Sequence, residues 1–152
     1  MKPSPLDLHY YYVTELTFFV NKTFKARGSS ALDGANLRVV PDLRRSEVPD
    51  SEPEWIMSLQ VQQLAADDQP YSFSVELVGH LSVSPLVPEE KREHILRANG
   101  ASMLYGAARE IIRSVSAQGP YMAAILPSVS FYPAKEKSNG QALEDSLKET
   151  SQ

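Results

Sequence analysis

From residue 10 to residue 20 the chain reads YYYVTELTFFV, a run of aromatic and β-branched types that suits a pleated strand. Counted alternately, Tyr10, Tyr12, Leu16, Phe18 and Val20 fall on one face, and Tyr11, Val13 and Phe19 on the other. A strand with one wet side alternates apolar with polar. One that is apolar on both sides needs a cover over each. A helix of the same chain, a second subunit or a guest polypeptide would each serve.

Gly28-Ser29-Ser30 and Asp33-Gly34 mark a loop over 21–35. A short strand is expected over 36–43, weakened by Pro41, and RRSEVPDSEPE reads as a surface connection. WIMSLQVQQL then sets Trp55, Met57, Leu59 and Val61 against Ser58, Gln60 and Gln62. After a hairpin turn at AADDQP, YSFSVELVGHLSV alternates Tyr71, Phe73, Val75, Leu77, Leu81 and Val83 with Ser72, Ser74, Glu76, His80 and Ser82. Gly79 interrupts it and suggests a bend or bulge. These segments predict an antiparallel meander with one dry face.

At Pro85 the period changes from two to nearly four. Pro88, Glu89 and Glu90 predict a helix start, and Asn99-Gly100 its stop. A second helix is expected from about Ala101 to Gln118, with Leu104, Ala108, Ile111, Ile112 and Val115 along one stripe. Gly106 inside it costs roughly 1 kcal/mol relative to Ala, which points to close packing there. Gly119-Pro120 ends the helix, and the uncharged run YMAAILPSVSF follows. The polar tail KEKSNGQALEDSLKETSQ predicts a frayed helix near 142–149 and then disorder. The expected organisation is a flexible stretch over 1–9, one domain over 10–132 and a tail over 133–152, with no internal repeat.

Composition narrows the function classes. With 152 residues and a net charge of -4, the chain suits one core and has no basic stripe to track phosphates, so nucleic acid is not an expected partner. The absence of cysteine removes disulfides and thiolate metal sites and fits a reducing compartment. Neither a signal-peptide core nor a membrane-spanning run is apparent, so a cytoplasmic location is expected, with the sequon Asn21-Lys22-Thr23 incidental. His9, His80 and His94 lack ligand spacing, and Asp67-Asp68 reads as turn chemistry. No nucleophile elbow or phosphate loop appears. The expectation is a protein that is not an enzyme and takes no cofactor or metal.

What remains is apolar surface. The first strand, the helix stripe and the segment carrying Tyr121, Met122 and Ile125 together exceed what one small meander readily hides, and Met and aromatics suit varied partners. Oligomerisation, a groove or both would use the excess. A general holder of unfolded chains, a module with one folded partner, and a small-ligand pocket between sheet and helix all remain open.

The stretch LYGAAREIIRSVSAQGPYMAAILPSVSF resembles the signature of the SecB family of export chaperones, matching at Leu104, Ala108, Arg109, Glu110, Ile112, Gly119, Leu126, Pro127, Val129 and Phe131. YYYVTELTF looks like that family's first strand, and SVELVGHLSV is similar to its strand with a central Gly. The likeness spans roughly residues 10 to 132. It implies an α+β fold: a four-stranded antiparallel sheet, a meander with a long helix from the C-terminal half packed on it. It further implies dimers or a dimer of dimers, with Tyr10, Tyr12, Leu104, Ala108, Ile111 and Ile112 at the subunit interface. The implied activity is ATP-independent holding of unfolded or precursor polypeptides, with Tyr11, Phe19, Tyr121, Met122 and Ile125 as client contacts.

In the export members an acidic patch with a neighbouring leucine docks the motor SecA. Here Glu15 keeps one acid, while the other expected acids fall on Phe19 and Ser74 and the leucine on Ser72. Gly106 and Ala107 also stand where the family carries Pro and a larger residue. Relatives outside the export pathway include chaperones that guard antitoxins, and a diverged chain fits that role at least as well.

Overall fold

A computed structural model describes residues 1–25, 36–46, 49–50 and 53–132. Part of the expected loop and the expected tail, 26–35 and 133–152, lie outside the described residues. The chain builds one antiparallel sheet from β1 (Leu6–Val20), β2 (Leu37–Ser46), β3 (Glu54–Gln63) and β4 (Tyr71–Val83), in spatial order β1-β4-β3-β2. β2, β3 and β4 form the meander, β1 adds on beside β4, and β1 and β2 are the two edges. Met57, Leu59 and Val61 of β3 and Phe73, Val75, Leu77 and Leu81 of β4 are buried on one face. Fully burying such a side chain contributes about 1.5–3 kcal/mol, so this face organises the core. β2 runs past its expected end at residue 43 as far as Ser46. It accommodates Pro41, opposite Leu59, because an edge strand can spare a ladder donor.

β1 departs from simple alternation. It starts at Leu6, buried opposite Val83, so residues 6–9 are strand where a flexible stretch is expected. Its register against β4 shifts between Leu8 and Tyr10 and again between Val13 and Glu15. Each shift inserts one extra residue, His9 and then Thr14, and reverses which side chains face the core. Leu8, Tyr11, Val13, Leu16, Phe18 and Val20 therefore stand on the inner face, opposite Leu81, Gly79, Leu77, Val75, Phe73 and Tyr71. Tyr10, Tyr12, Glu15, Thr17 and Phe19 point outward. The expected grouping of Tyr10 and Tyr12 with Leu16, Phe18 and Val20 is thus corrected. So is the expected bulge at Gly79, which pairs in register. A Cβ there would meet Leu104 Cδ2 at 2.9 Å and Leu8 Cδ1 at 3.0 Å, so the glycine makes room for the helix.

The helical half runs as α1 (Glu89–Ile95), a π-helical turn (Leu96–Gly100) and α2 (Ala101–Ser116). Pro88 stands before it, and Glu89 and Glu90 occupy a first turn where the helix dipole favours anions. Asn99-Gly100 is no stop: Leu96, Gly100 and Ala101 all keep right-handed helical dihedrals. A Cβ on Gly100 would lie 3.2 Å from Leu81 Cδ1 and 3.3 Å from Met57 Cε, so close packing on the sheet selects glycine there. α2 buries Ala101, Leu104, Tyr105, Ala108, Ile112 and Ser116. Leu104, Ala108 and Ile112 are consequently core of the single chain, which corrects their expected place at a subunit interface. Ile111 is half-buried against that core. Gly106 is the reverse case, since a Cβ there would meet nothing within 4 Å and no close packing explains it.

Past α2 the chain turns at Gly119, where a Cβ would come within 2.7 Å of the Tyr71 hydroxyl. Residues 121–131 then cross the molecule without regular secondary structure. This strap buries Ala124 and Leu126 and is held through side-chain oxygens. The Tyr121 amide donates to the Tyr71 hydroxyl (3.1 Å), and the Ala124 amide to Ser116 Oγ (2.8 Å). The Tyr105 hydroxyl donates to the Pro127 carbonyl (2.6 Å), and that of Tyr132, just beyond the strap, to Asn99 Oδ1 (2.7 Å). The second apolar segment is therefore half of the core's lid, inserted on one side and left bare on the other.

Candidate functional site

Polar side chains gather in small structural clusters. His80 Nδ1 lies 2.8 Å from Glu54 Oε1, and its ring stacks on Tyr10 at 4.4 Å between centroids. His9 sits 3.5 Å from Asp7, and His94 is exposed on α1. Among the described residues no three His, Cys, Asp or Glu side chains converge on a point that could hold a metal. Asp67-Asp68 occupy the β3–β4 turn. Asn21, read from sequence only as part of a sequon, ties the end of β1 to that turn by donating to the carbonyls of Ala66 (3.3 Å) and Gln69 (3.0 Å).

Apolar exposure is the dominant feature. On the inner face of β1, Tyr11 is 47% and Leu16 44% exposed, and Val13 is similarly bare. On the outer face Tyr10 and Tyr12 are exposed beside His80, and Phe19 is 65% exposed. Phe19 rims a hollow of about 500 Å³ with Asn21, Ala66, Gln69, Tyr71 and Ser72. Neither side of this edge strand is fully covered within the chain, as its doubly apolar sequence anticipates. Tyr11 and Phe19 lie on opposite faces, so the structure does not bring these two expected client contacts into one groove. Leu16 joins Tyr11 and Val13 in the inner patch only through the bulge at Thr14, which plain alternation cannot show.

The strap divides its residues sharply. Met122 is 72% and Ile125 67% exposed, in keeping with a contact role. Tyr121 is turned inward instead: its hydroxyl donates to the Asn21 carbonyl at 2.7 Å and its ring meets Phe24 edge-on at 5.1 Å. It is a structural pin rather than free surface. Ile125 and Leu126 border a shallow groove of about 250 Å³ with Gly106, Arg109, Glu110 and Arg113 of α2, a feature absent from the sequence expectations. Burial raises the Tyr105 pKa above the ordinary phenol value, with the Arg109 charge pulling it back. Hydrogen bonds from Arg113 and Ser114 lower the Glu110 pKa.

The register places Glu15, Phe19, Ser72 and Ser74 together on the outer face, with Glu15 opposite Glu76, Thr17 opposite Ser74 and Phe19 opposite Ser72. No helix among the described residues is long and apolar enough to cross a membrane.

Comparison with known proteins agrees with this geometry. Residues 2–138 match the family profile described as preprotein translocase subunit SecB. No curated protein sequence matches the chain. Among solved structures it is similar in fold to the Mycobacterium tuberculosis Rv1957 SecB-like chaperone, in complex with a ChAD peptide from the Rv1956 HigA1 antitoxin. The TM-score is 0.55 at 10% identity, over 83% of this chain and 88% of that one.

Proposed function

The chain belongs to the SecB family, and from that premise we propose that it is an ATP-independent holdase whose partners are non-native or unstructured polypeptides. The observation that carries this reading is bare apolar surface on both faces of β1 and along the strap, at Tyr11, Leu16, Phe19, Met122 and Ile125. Binding proceeds by burial of that surface at about 25 cal/mol per Å², less the cost of ordering the guest, so individual contacts are weak and selectivity is broad. A second copy meeting part of β1 completes the working oligomer, in a cytoplasmic protein. The test is whether the purified protein slows aggregation of an unfolded model client at a near-stoichiometric ratio. No protection at any ratio would refute the proposal.

A dedicated role toward one partner, of the kind that guards an antitoxin, is favoured over export. The outer face carries Phe19, Ser72 and Ser74 where motor docking would call for acids and a leucine. The similar solved chaperone is held with an antitoxin peptide. Capture from the native host followed by identification of bound proteins separates the two: one dominant small partner supports the dedicated role, and a spread of precursors supports export.

A further inference from the structure

From Gly119 to Phe131 the strap carries no charged side chain, so neither salt nor a moderate change of pH alters its polarity. One of its apolar side chains can still be made polar by mild chemistry, the Met122 thioether. With cysteine absent, the sulfurs of Met1, Met57, Met103 and Met122 are the side-chain atoms most open to two-electron oxidation. Burial grades them sharply. Met57 is sealed in the core at 0% exposure, Met103 stands at 40% on α2 and Met122 at 72% on the strap, while Met1 lies bare ahead of β1.

The fold also keeps Met122 from withdrawing. On one side the Tyr121 amide donates to the Tyr71 hydroxyl and the Tyr121 hydroxyl to the Asn21 carbonyl. On the other, the Ala124 amide donates to the buried Ser116 Oγ. With residues 121 and 124 pinned inward, the Met122 side chain is presented to water, and Ile125 is bare three residues on. A change at the Met122 sulfur therefore reaches the contact surface without disturbing the packed core.

We propose that Met122 is a modification site through which a peroxide turns guest binding down. The sulfur lone pair attacks one peroxide oxygen, forming an S–O bond as the O–O bond breaks. The departing hydroxide takes the proton left on the transferred oxygen and leaves as water; sulfur is oxidised by two electrons and the peroxide reduced by two. A thiol-dependent reductase reverses the step, returning two electrons and two protons and releasing the oxygen as water. The sulfoxide sets a hydrogen-bond acceptor where a guest's apolar side chain would lie, and burying it unpaired is unfavourable. This rests on the holdase reading and adds a control to it: guests are released under oxidant while the fold stays intact.

The test applies graded hydrogen peroxide to the intact protein. Peptide mapping by mass spectrometry follows each methionine, and client affinity, aggregation suppression and melting temperature are read on the same samples. Met122 should oxidise well ahead of Met57, client affinity should fall about tenfold, and the melting temperature should hold. Methionine sulfoxide reductases of both stereospecificities, supplied with a dithiol, should restore protection. Met122→Leu, scored against its own untreated activity, should lose nothing on the same treatment, whereas Met103→Leu should lose protection as the native chain does. Undiminished protection with Met122 fully oxidised overturns the proposal, and so does an equal loss in Met122→Leu. A loss that tracks Met57 oxidation and a falling melting temperature places the effect in the core and overturns it too. Untreated protein that protects no client refutes the holdase reading and this proposal with it, while protection that survives every dose overturns the modification site and leaves the holdase standing.

Discussion

The Tyr105 hydroxyl donates a 2.6 Å hydrogen bond to the Pro127 carbonyl, fastening the N-terminal half of α2 to the strap. Removing it by Tyr105→Phe should cost about 1 kcal/mol, read as a lower unfolding midpoint in urea. The phenol also couples stability to alkaline pH. Burial raises its folded pKa above the unfolded value, so its contribution is full below about pH 10 and is lost as the pH climbs through the folded value. Thermal melts taken upward from about pH 9 should show a decline that is shallower in Tyr105→Phe than in the native chain.

Gly79 and Gly106 predict opposite outcomes for the same substitution. Gly79→Ala drives a methyl to within 2.9 Å of Leu104 Cδ2 and should destabilise the protein by about 1–3 kcal/mol through overpacking. Gly106→Ala meets nothing and should stabilise it by up to about 1 kcal/mol. Denaturant titrations of the two variants side by side check both signs.

A charge placed on the bare inner side of β1 separates assembly from folding. Leu16 is exposed in the single chain, so Leu16→Lys should leave the melting temperature of the isolated fold nearly unchanged. If a second copy covers this strand, the mass by light scattering should fall towards that of one chain, because an unpaired ammonium in an apolar interface is costly.

The strap variants distinguish contact residues from pins. Met122→Ser with Ile125→Ser should weaken protection of an aggregating client and leave unfolding unaffected, since both side chains are exposed. Tyr121→Phe should do the opposite. It loses the hydrogen bond to the Asn21 carbonyl and about 1 kcal/mol of stability, with client protection retained.

How far these features could be read in advance depended on how local their causes are. β3 and β4 carry one alternating face each, and Met57, Leu59, Val61, Val75 and Leu77 are buried as that pattern requires. The helix stripe likewise placed Leu104, Ala108 and Ile112 correctly on one side of α2, but spacing alone does not say whether a buried stripe meets its own sheet or another subunit. β1 misled because the residues His9 and Thr14 that shift its phase look like any others, and only pairing with β4 reveals the insertions. Glycines were ambiguous for the same reason. Gly79 and Gly100 answer to side chains from distant elements, and Asn99-Gly100 mimics a helix end without being one. The inward turn of Tyr121 depends on Asn21, a hundred residues away, and has no local signature.

The wide turn at Leu96–Gly100 sets the azimuth of everything after it. Each residue advances an α-helix by about 100°, so a turn widened to hold one additional residue keeps every later residue about that angle behind the azimuth that an uninterrupted α-helix would give it. Excising a single position there, Asn99 for instance, would let the wide turn close to an ordinary α-helical one with the Ala101–Ser116 stripe still facing the sheet, whereas a further inserted residue would find no wide turn to absorb it and would swing that stripe off the sheet by about 100°. That short coil works as a compass bearing fixed into the backbone, holding Leu104, Ala108 and Ile112 toward the sheet.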